Sequence, residues 1–486
     1  MKPFPFRLHP LFLSILVAPM AAGSGYSVGT QSVSAQGTAN ANGAEALDAS
    51  VIFNNPAGMM NLQGTQFSAV GNYVLPNIKF TQSGQATGNL GGTLVPITGS
   101  DGGEPIDDTF IPHFYLSHRL SENTAVGLGV FVPFGANAEF NDDFVGRFYA
   151  LATELTTINL NPSFAVRVKE GHSFGFGLNV QYMDGTLRRK IYAPAISGAL
   201  ATDQVINGGM TVPQALAMVN NSVVQNADGS LDPMFKASGD DVAFGLNAGY
   251  LYEFDEGTRV GLAWRSRIHH ELEGDASLYN MEALEQQMVA DGLPTDALAT
   301  IAKSADARLR VDTPESLSFN IYHKITDTVA VMSDVTWTKQ SRLKEIVVEA
   351  QPITTTYLQT DWRTTAKISL GATWQVSQPF QLRAGYMYDE SPIDGADTTL
   401  PTLPDNDRNW FSVGAKWQIT PAHSLDFAYT YLMVEDRFMD RSFDSQRDTD
   451  VPNNPSPDGQ GSSAGTVAGN FESSAHLLGV QWNAQF

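Results

Sequence analysis

From about Thr65 onward the chain alternates apolar and polar side chains in runs of about ten residues, the two-residue period of a β-strand with chemically different faces. Ala366, Ile368, Leu370, Ala372, Trp374 and Val376 interleave with Lys367, Ser369, Gly371, Thr373 and Gln375. After Ser377-Gln378-Pro379 the alternation resumes in Phe380, Leu382, Ala384, Tyr386 and Tyr388. It recurs over residues 411–419 and 425–433 and closes with Leu478, Val480, Trp482, Ala484 and Phe486. Strands of this length, apolar on one side and polar on the other, suit a tilted transmembrane strand facing lipid outward and a wet lumen inward. So many in succession would be unusual in a soluble sandwich.

Six short polar connections separate strand pairs: Ser121-Glu122-Asn123, Lys169-Glu170-Gly171, Asp255-Glu256-Gly257, Thr326-Asp327, Ser377-Gln378-Pro379 and Thr420-Pro421. Six hairpins give twelve strands. A first strand over about Thr65 to Phe80 and a last one ending at Phe486 make fourteen, an even number with both ends on the short-turn, periplasmic side. The expected fold is therefore all-β: a 14-stranded antiparallel transmembrane β-barrel spanning residues 65–486. The terminal Phe486 matches the signal read by the outer-membrane barrel assembly machinery, which makes that machinery an expected partner through the last strand.

The remaining connections are long, and those at about Tyr192 to Asp240 and Ala276 to Ala305 carry helical periodicity. Thr211 is placed to cap a helix with Val212, Ala215, Leu216, Val219 and Val223 on one side. Asn280 is placed to cap a second with Met281, Leu284 and Met288, and a third is expected around Leu298 and Ile301. Such stripes usually mark local packing, but two held outside a barrel could also line a hydrophobic groove, so Leu216, Val219, Leu284 and Met288 are candidate ligand contacts.

Composition narrows the picture. With 486 residues and no dividing linker, the chain reads as one large barrel rather than three soluble domains. The absence of cysteine excludes disulfides, thiolate metal sites and a Cys nucleophile, and a net charge of −22 argues against nucleic acid as a partner. A mean hydropathy of −0.15 is uninformative, because only half of each barrel strand meets lipid. At the N-terminus, Lys2 and Arg7, the short apolar run Leu11 to Val17 and the small residues Ala21 to Ser24 read as a signal peptide over residues 1–23. That run is too short to span a bilayer, and no later segment reaches about 18 consecutive apolar residues. Export to the cell outer membrane of a Gram-negative bacterium is the expectation.

Residues 24–64 lie between signal and barrel and are rich in Gly, Ala, Ser and Asn. Gly25-Tyr26-Ser27, the run Gln31 to Ala39, Asp48-Ala49-Ser50 and Asn55-Pro56-Ala57-Gly58-Met59 resemble the FadL family of outer-membrane transporters of hydrophobic compounds. That resemblance implies that this segment is a hatch folded into the lumen, with Asn55, Pro56, Ala57 and Gly58 at its tip near a break in the third strand. It also implies passive transport, with long-chain fatty acid or another hydrophobic small molecule as the ligand and no cofactor.

An irregularity stands independently at that place. In the run Gly127 to Gly135 the strand pattern meets Pro133, which has no ladder donor, and Gly135, so pairing should fail around Pro133, Phe134 and Gly135. A strand simply ending there is the bland alternative; together with the hatch resemblance, a kink serving as a lateral exit is favoured. Side-chain parity then supplies lumenal candidates. If Phe174, Phe176, Leu178, Val180 and Tyr182 face lipid, Asn179, Gln181, Met183 and Arg189 face inward, while Arg188 and Lys190 point outward toward lipopolysaccharide and outer-membrane lipids. The same count turns Arg265, Arg267 and Arg342 inward, where each could meet a carboxylate head group or pair with a lumenal carboxylate such as Asp334.

No catalytic constellation stands out: His269-His270-Glu271 lacks the spacing of a zinc helix, and neither a Gly-x-Ser-x-Gly elbow nor a phosphate loop occurs. The alternatives are a barrel phospholipase with a non-local Ser/His/Asn triad and a general diffusion porin. A plugged receptor of the TonB-dependent kind would need a longer chain.

Overall fold

The computed structural model describes residues 25–90, 93–442 and 465–486; the signal-peptide reading of residues 1–23 lies outside the described residues. Fourteen wall strands follow in order: β1 (Thr65–Gln82), β2 (Thr109–Ser121), β3 (Thr124–Phe131 continuing as Gly135–Glu139), β4 (Ala152–Lys169), β5 (His172–Lys190), β6 (Met234–Glu253), β7 (Thr258–Arg265 and Ile268–Tyr279), β8 (Ser304–Thr313 and Ser316–Lys324), β9 (Val329–Thr338 and Glu345–Ala350), β10 (Thr354–Gln359 and Thr365–Ser377), β11 (Phe380–Asp389), β12 (Arg408–Thr420), β13 (His423–Val434 and Arg437–Ser442) and β14 (Thr466–Gln485). Each pairs antiparallel with its sequence neighbours, and β1 closes on β14 from Gln66↔Gln485 to Gln82↔Gly469. Apart from a local gap between β2 and β3, closure leaves the wall without a free sheet edge, the condition for a sheet to exist in lipid. The fourteen strands and all six short turns stand where the periodicity puts them.

The alternation becomes burial. Along β5, Phe176 and Leu178 are exposed on the outside while Gly175, Gly177, Asn179 and Gln181 are buried inside. The same holds at Leu478, Val480 and Trp482 on β14. Aromatic contacts such as Phe67 with Trp482 and Phe380 with Trp417 ring the short-turn rim, as an interfacial girdle requires.

Inside the barrel lie two one-turn helices, α1 (Val33–Gln36) and α2 (Val51–Asn54); at the long-loop end, α3 (Ala193–Asp203) and α4 (Val212–Gln225) connect β5 to β6, and α5 (Glu282–Ala290) and α6 (Thr295–Leu298) connect β7 to β8. Thr211 caps α4, its backbone N–H donating to Gln214 Oε1 at 2.9 Å. Asn280 is not a cap: it sits at φ +61°, and Met281 takes the capping position of α5. The apolar sides of these helices meet the upper strand interiors in one cluster containing Met218, Leu284, Met288, Leu187 and Phe235. Periodicity did not reveal α3, whose Ala/Pro/Gly-rich sequence carries no clear apolar stripe.

Candidate functional site

Residues 25–62 lie inside the barrel, where small side chains let the backbone run close to the wall. Ser32 caps α1 by accepting from Ala35 N, and Val33 N donates to Gln481 Oε1 at 2.8 Å. Gly43 N donates to Asp334 Oδ2 at 2.9 Å, and Arg259 Nη1 to the carbonyl of Glu45 at 2.7 Å. Ile52, Met59 and Met60 form an apolar contact with Val70, Tyr115 and Phe131 of the wall. Asn55 begins a 3-10 turn over Pro56–Asn61: its Oδ1 accepts from Ala57 N at 3.1 Å and its Nδ2 donates to the carbonyl of Tyr250 at 3.0 Å.

This Asn-Pro-Ala turn docks near the short-turn end of β5, β6 and β7, on glycines. A Cβ at Gly249 would overlap Asn55 Oδ1, and one at Gly175 would overlap Ala57 N. Gly249→Val should therefore dislodge the turn while the strand ladder survives, lowering thermal stability by about 1–3 kcal/mol from overpacking. A melting curve of the detergent-extracted barrel checks this, and an unchanged midpoint would mean that the turn yields freely.

The third strand does break. Between Phe131 and Gly135 it leaves β2: the β2/β3 ladder runs from Ser121↔Thr124 only to Phe114↔Val130, and Gly135–Glu139 pairs with β4 alone. The gap is bridged by Tyr26, Ser27 and Val28. Val28 N donates to the carbonyl of Pro133 at 2.9 Å and Gly135 N to that of Tyr26 at 2.8 Å, making Ser27 the partner of Phe134. Asn55-Pro56-Ala57, which the resemblance puts near this break, takes no part in the bridge; Pro56 and Pro133 line the same cavity. Tyr26 packs its ring on Phe134 (5.4 Å between centroids) and Trp362 (5.7 Å), and Gly25 N donates to Asp405 Oδ2 at 2.7 Å. Burial pushes the carboxyl of this loop residue up to about 6 despite the opposing pull of Arg408.

Two cavities flank the bridge. The upper one, about 810 Å³, is lined by Tyr26, Ala136, Leu155, Leu187, Leu272 and Ile346, with further apolar side chains. The lower one, about 1090 Å³, mixes polar and apolar side chains and is lined by Ser27, Val28, Pro133, Phe134, Asn247, Asp334, Arg265 and Lys367. Among the described residues no group of His, Asp and Glu side chains is arranged to hold a metal ion.

The candidate residues part company here. Arg265 lines the lower cavity, its guanidinium donating to Asn179 Oδ1 at 2.7 Å and to the Phe53 carbonyl at 3.1 Å, stacked over Phe53. Arg189 is inward but sits against the Phe148 carbonyl and the Phe235 ring, lining neither cavity. Arg267 is not inward: the strand is interrupted at Ser266, which shifts parity, so Ile268 and His270 are buried while Arg267 lies outside, paired to Asp312 at 3.3 Å. Arg342 is not on a strand: it ends a 3-10 turn and meets Glu315 at 3.1 Å. Leu284 and Met288 are buried in the loop-helix cluster, Val219 packs on its edge and Leu216 is 59% exposed, so these four line neither cavity. Outward Arg188 is paired with Glu139. Lys367 also lines the lower cavity, and its place opposite Ile368 in a clear alternation marks it as inward; Tyr26 carries no signal beyond the N-terminal resemblance.

The sequence matches the family of outer membrane protein transport proteins (OMPP1/FadL/TodX) over residues 14–486. An outer membrane protein of Neisseria meningitidis serogroup B is 34% identical over 478 residues, 95% of each chain. The long-chain fatty acid transport protein of Escherichia coli O6:H1 is 27% identical over 420 residues, 86% of this chain and 88% of that one. The crystal structure of a Pseudomonas aeruginosa FadL homologue superposes with a TM-score of 0.76 at 23% identity, covering 95% of this chain and all of that one.

Proposed function

Since the chain belongs to the OMPP1/FadL/TodX family of outer-membrane transport proteins, which move hydrophobic compounds and are not enzymes, we propose that its substrates are long-chain fatty acids. The short-turn end faces the periplasm, and residues 24–64 act as a hatch. The acyl chain enters from the long-loop end and occupies the upper apolar cavity; after Tyr26–Val28 moves, the carboxylate reaches Arg265 and Lys367 in the lower one. The chain then leaves sideways through the gap between β2 and β3. Release into periplasmic water would cost about 0.8 kcal/mol per methylene, so a dry lateral path is favoured over an axial one. Lipopolysaccharide is met by the outer strand ends, where Lys190 and Arg188 share the outward face of β5, and the last strand engages the barrel assembly machinery.

The single observation that carries this reading is the bridge at the strand break, with an apolar cavity on one side of it and, on the other, a mixed cavity holding Arg265 and Lys367. Changing Arg265 to Ala should weaken fatty-acid binding by about 1–3 kcal/mol, the range for a charge-assisted hydrogen bond, and spare an uncharged hydrocarbon of equal length. Arg265→Lys should retain most of the affinity. Calorimetric or fluorescent-ligand titration decides it; equal loss for acid and hydrocarbon would reject the clamp and point to an uncharged substrate.

A further inference from the structure

The residues that bridge the strand break are followed by Gly29, Thr30 and Gln31, and one imidazole ties this stretch to the broken strand. His113, on the inward side of β2 beside the gap, is completely buried. Its Nε2 stands 2.9 Å from the carbonyl of Thr30 and its Nδ1 accepts from Val132 N at 3.3 Å. A backbone carbonyl can only accept and a backbone N–H can only donate, so the two partners fix the neutral tautomer with its proton on Nε2. Val132, the residue before Pro133, is held from both sides, since its carbonyl accepts from Gln31 Nε2 at 2.8 Å. Asn72 Nδ2 adds a bond to Thr30, and Tyr115, whose ring stacks on Phe131 of β3, donates to the carbonyl of Gln31, but the side-chain hydrogen bond to Val132 N comes from His113.

We propose that His113 is a positioning residue, a latch that couples the seat of the inner segment to closure of the wall. While Thr30 occupies Nε2, the ring is oriented to satisfy Val132 and the gap stays shut. When Tyr26–Val28 lifts away and draws Thr30 with it, the ring loses the partner that orients it, and Val132 N–H is freed at the place where the wall must part. A polar ring buried here costs free energy unless both nitrogens are bonded, so the two bonds make and break together. The proposal rests on the reading of the inner segment as a hatch that moves.

The test needs no substrate, which keeps its outcome separate from that of fatty-acid transport. The chain has no cysteine, so Ser27→Cys carries the sole thiol, in the lining of the lower cavity beside the break. Its modification rate by a small water-soluble maleimide reports how often the bridge is open. In the purified barrel, His113→Phe should raise that rate about tenfold, the order expected from losing two buried hydrogen bonds. His113→Asn, which keeps an acceptor near Val132, and His113→Gln, which keeps a donor toward Thr30, should fall between. Heat-modifiable gel migration confirms that each barrel is folded, and should the Phe variant fail to fold, the Asn and Gln variants decide. A rate within twofold of the parent in every folded variant would overturn the latch. A raised rate with unchanged fatty-acid uptake would uphold it and count against the lateral route.

Discussion

A chain lacking residues 25–62 should still form the closed barrel and should conduct ions at least about tenfold better than the full chain in a planar bilayer. Barrel closure does not depend on the missing residues: β1 pairs with β14 over its whole length, and every other wall pair except the upper β2/β3 gap is strand to strand. Removing the inner segment exposes lumenal groups such as Asp334, Gln481 and Arg259 to water, which can satisfy them. It also removes the apolar contact of Ile52, Met59 and Met60, so the melting temperature should fall. What remains in the lumen is a polar channel through the height of the wall. Single-channel recording, with gel migration before and after boiling to verify closure, gives the answer. A high conductance already present in the full chain would identify a diffusion porin, and an unchanged low conductance after deletion would assign closure to the cluster of loop helices around Leu284 and Met288.

Much of this was legible in the alternation, because in a barrel wall burial follows a period of two and each tight turn is marked by polar or Gly/Pro residues. The inward positions of Arg189, Arg265 and Lys367 follow from counting along an unbroken strand. The count fails wherever a ladder is interrupted. Ser266 reverses parity ahead of Arg267, and the 3-10 turn ending at Arg342 removes that residue from the strand altogether. Inward direction also says nothing about what an arginine will meet, and Arg189 meets a carbonyl and a phenyl ring rather than open space. The stripes on α4 and α5 were equally readable as stripes, but periodicity does not reveal what covers them: Leu284 is covered by neighbouring helices and strands, whereas Leu216 is left outside. The break at Pro133 was visible from proline's missing donor. Its partner was not, because Tyr26–Val28 lies more than a hundred residues away and pairs through its backbone, which leaves no mark in side-chain pattern.

Ser27 and Phe134 occupy a non-hydrogen-bonded antiparallel position, flanked by Val28 N to Pro133 O and Gly135 N to Tyr26 O. Residues so placed have Cα atoms about 4.5 Å apart, within reach of a disulfide. In a chain without other cysteines, Ser27→Cys with Phe134→Cys can form only that one bond. It locks the bridge onto the broken strand and leaves the upper cavity's aliphatic walls in place. Fatty-acid binding by the oxidised protein should persist through the upper cavity and weaken by no more than the roughly 1–3 kcal/mol that Arg265 supplies, because the lock keeps the carboxylate out of the lower cavity while the acyl chain stays buried. Delivery should fall by more than about tenfold, because the locked strand keeps the two cavities apart and the wall shut. The decisive measurement is the fatty-acid uptake rate of cells carrying this double variant, before and after adding reductant. Uptake that is blocked when oxidised and restored on reduction is the expected result; uptake at the same rate in both states, with the disulfide shown to be formed, would mean that the substrate passes without moving the bridge.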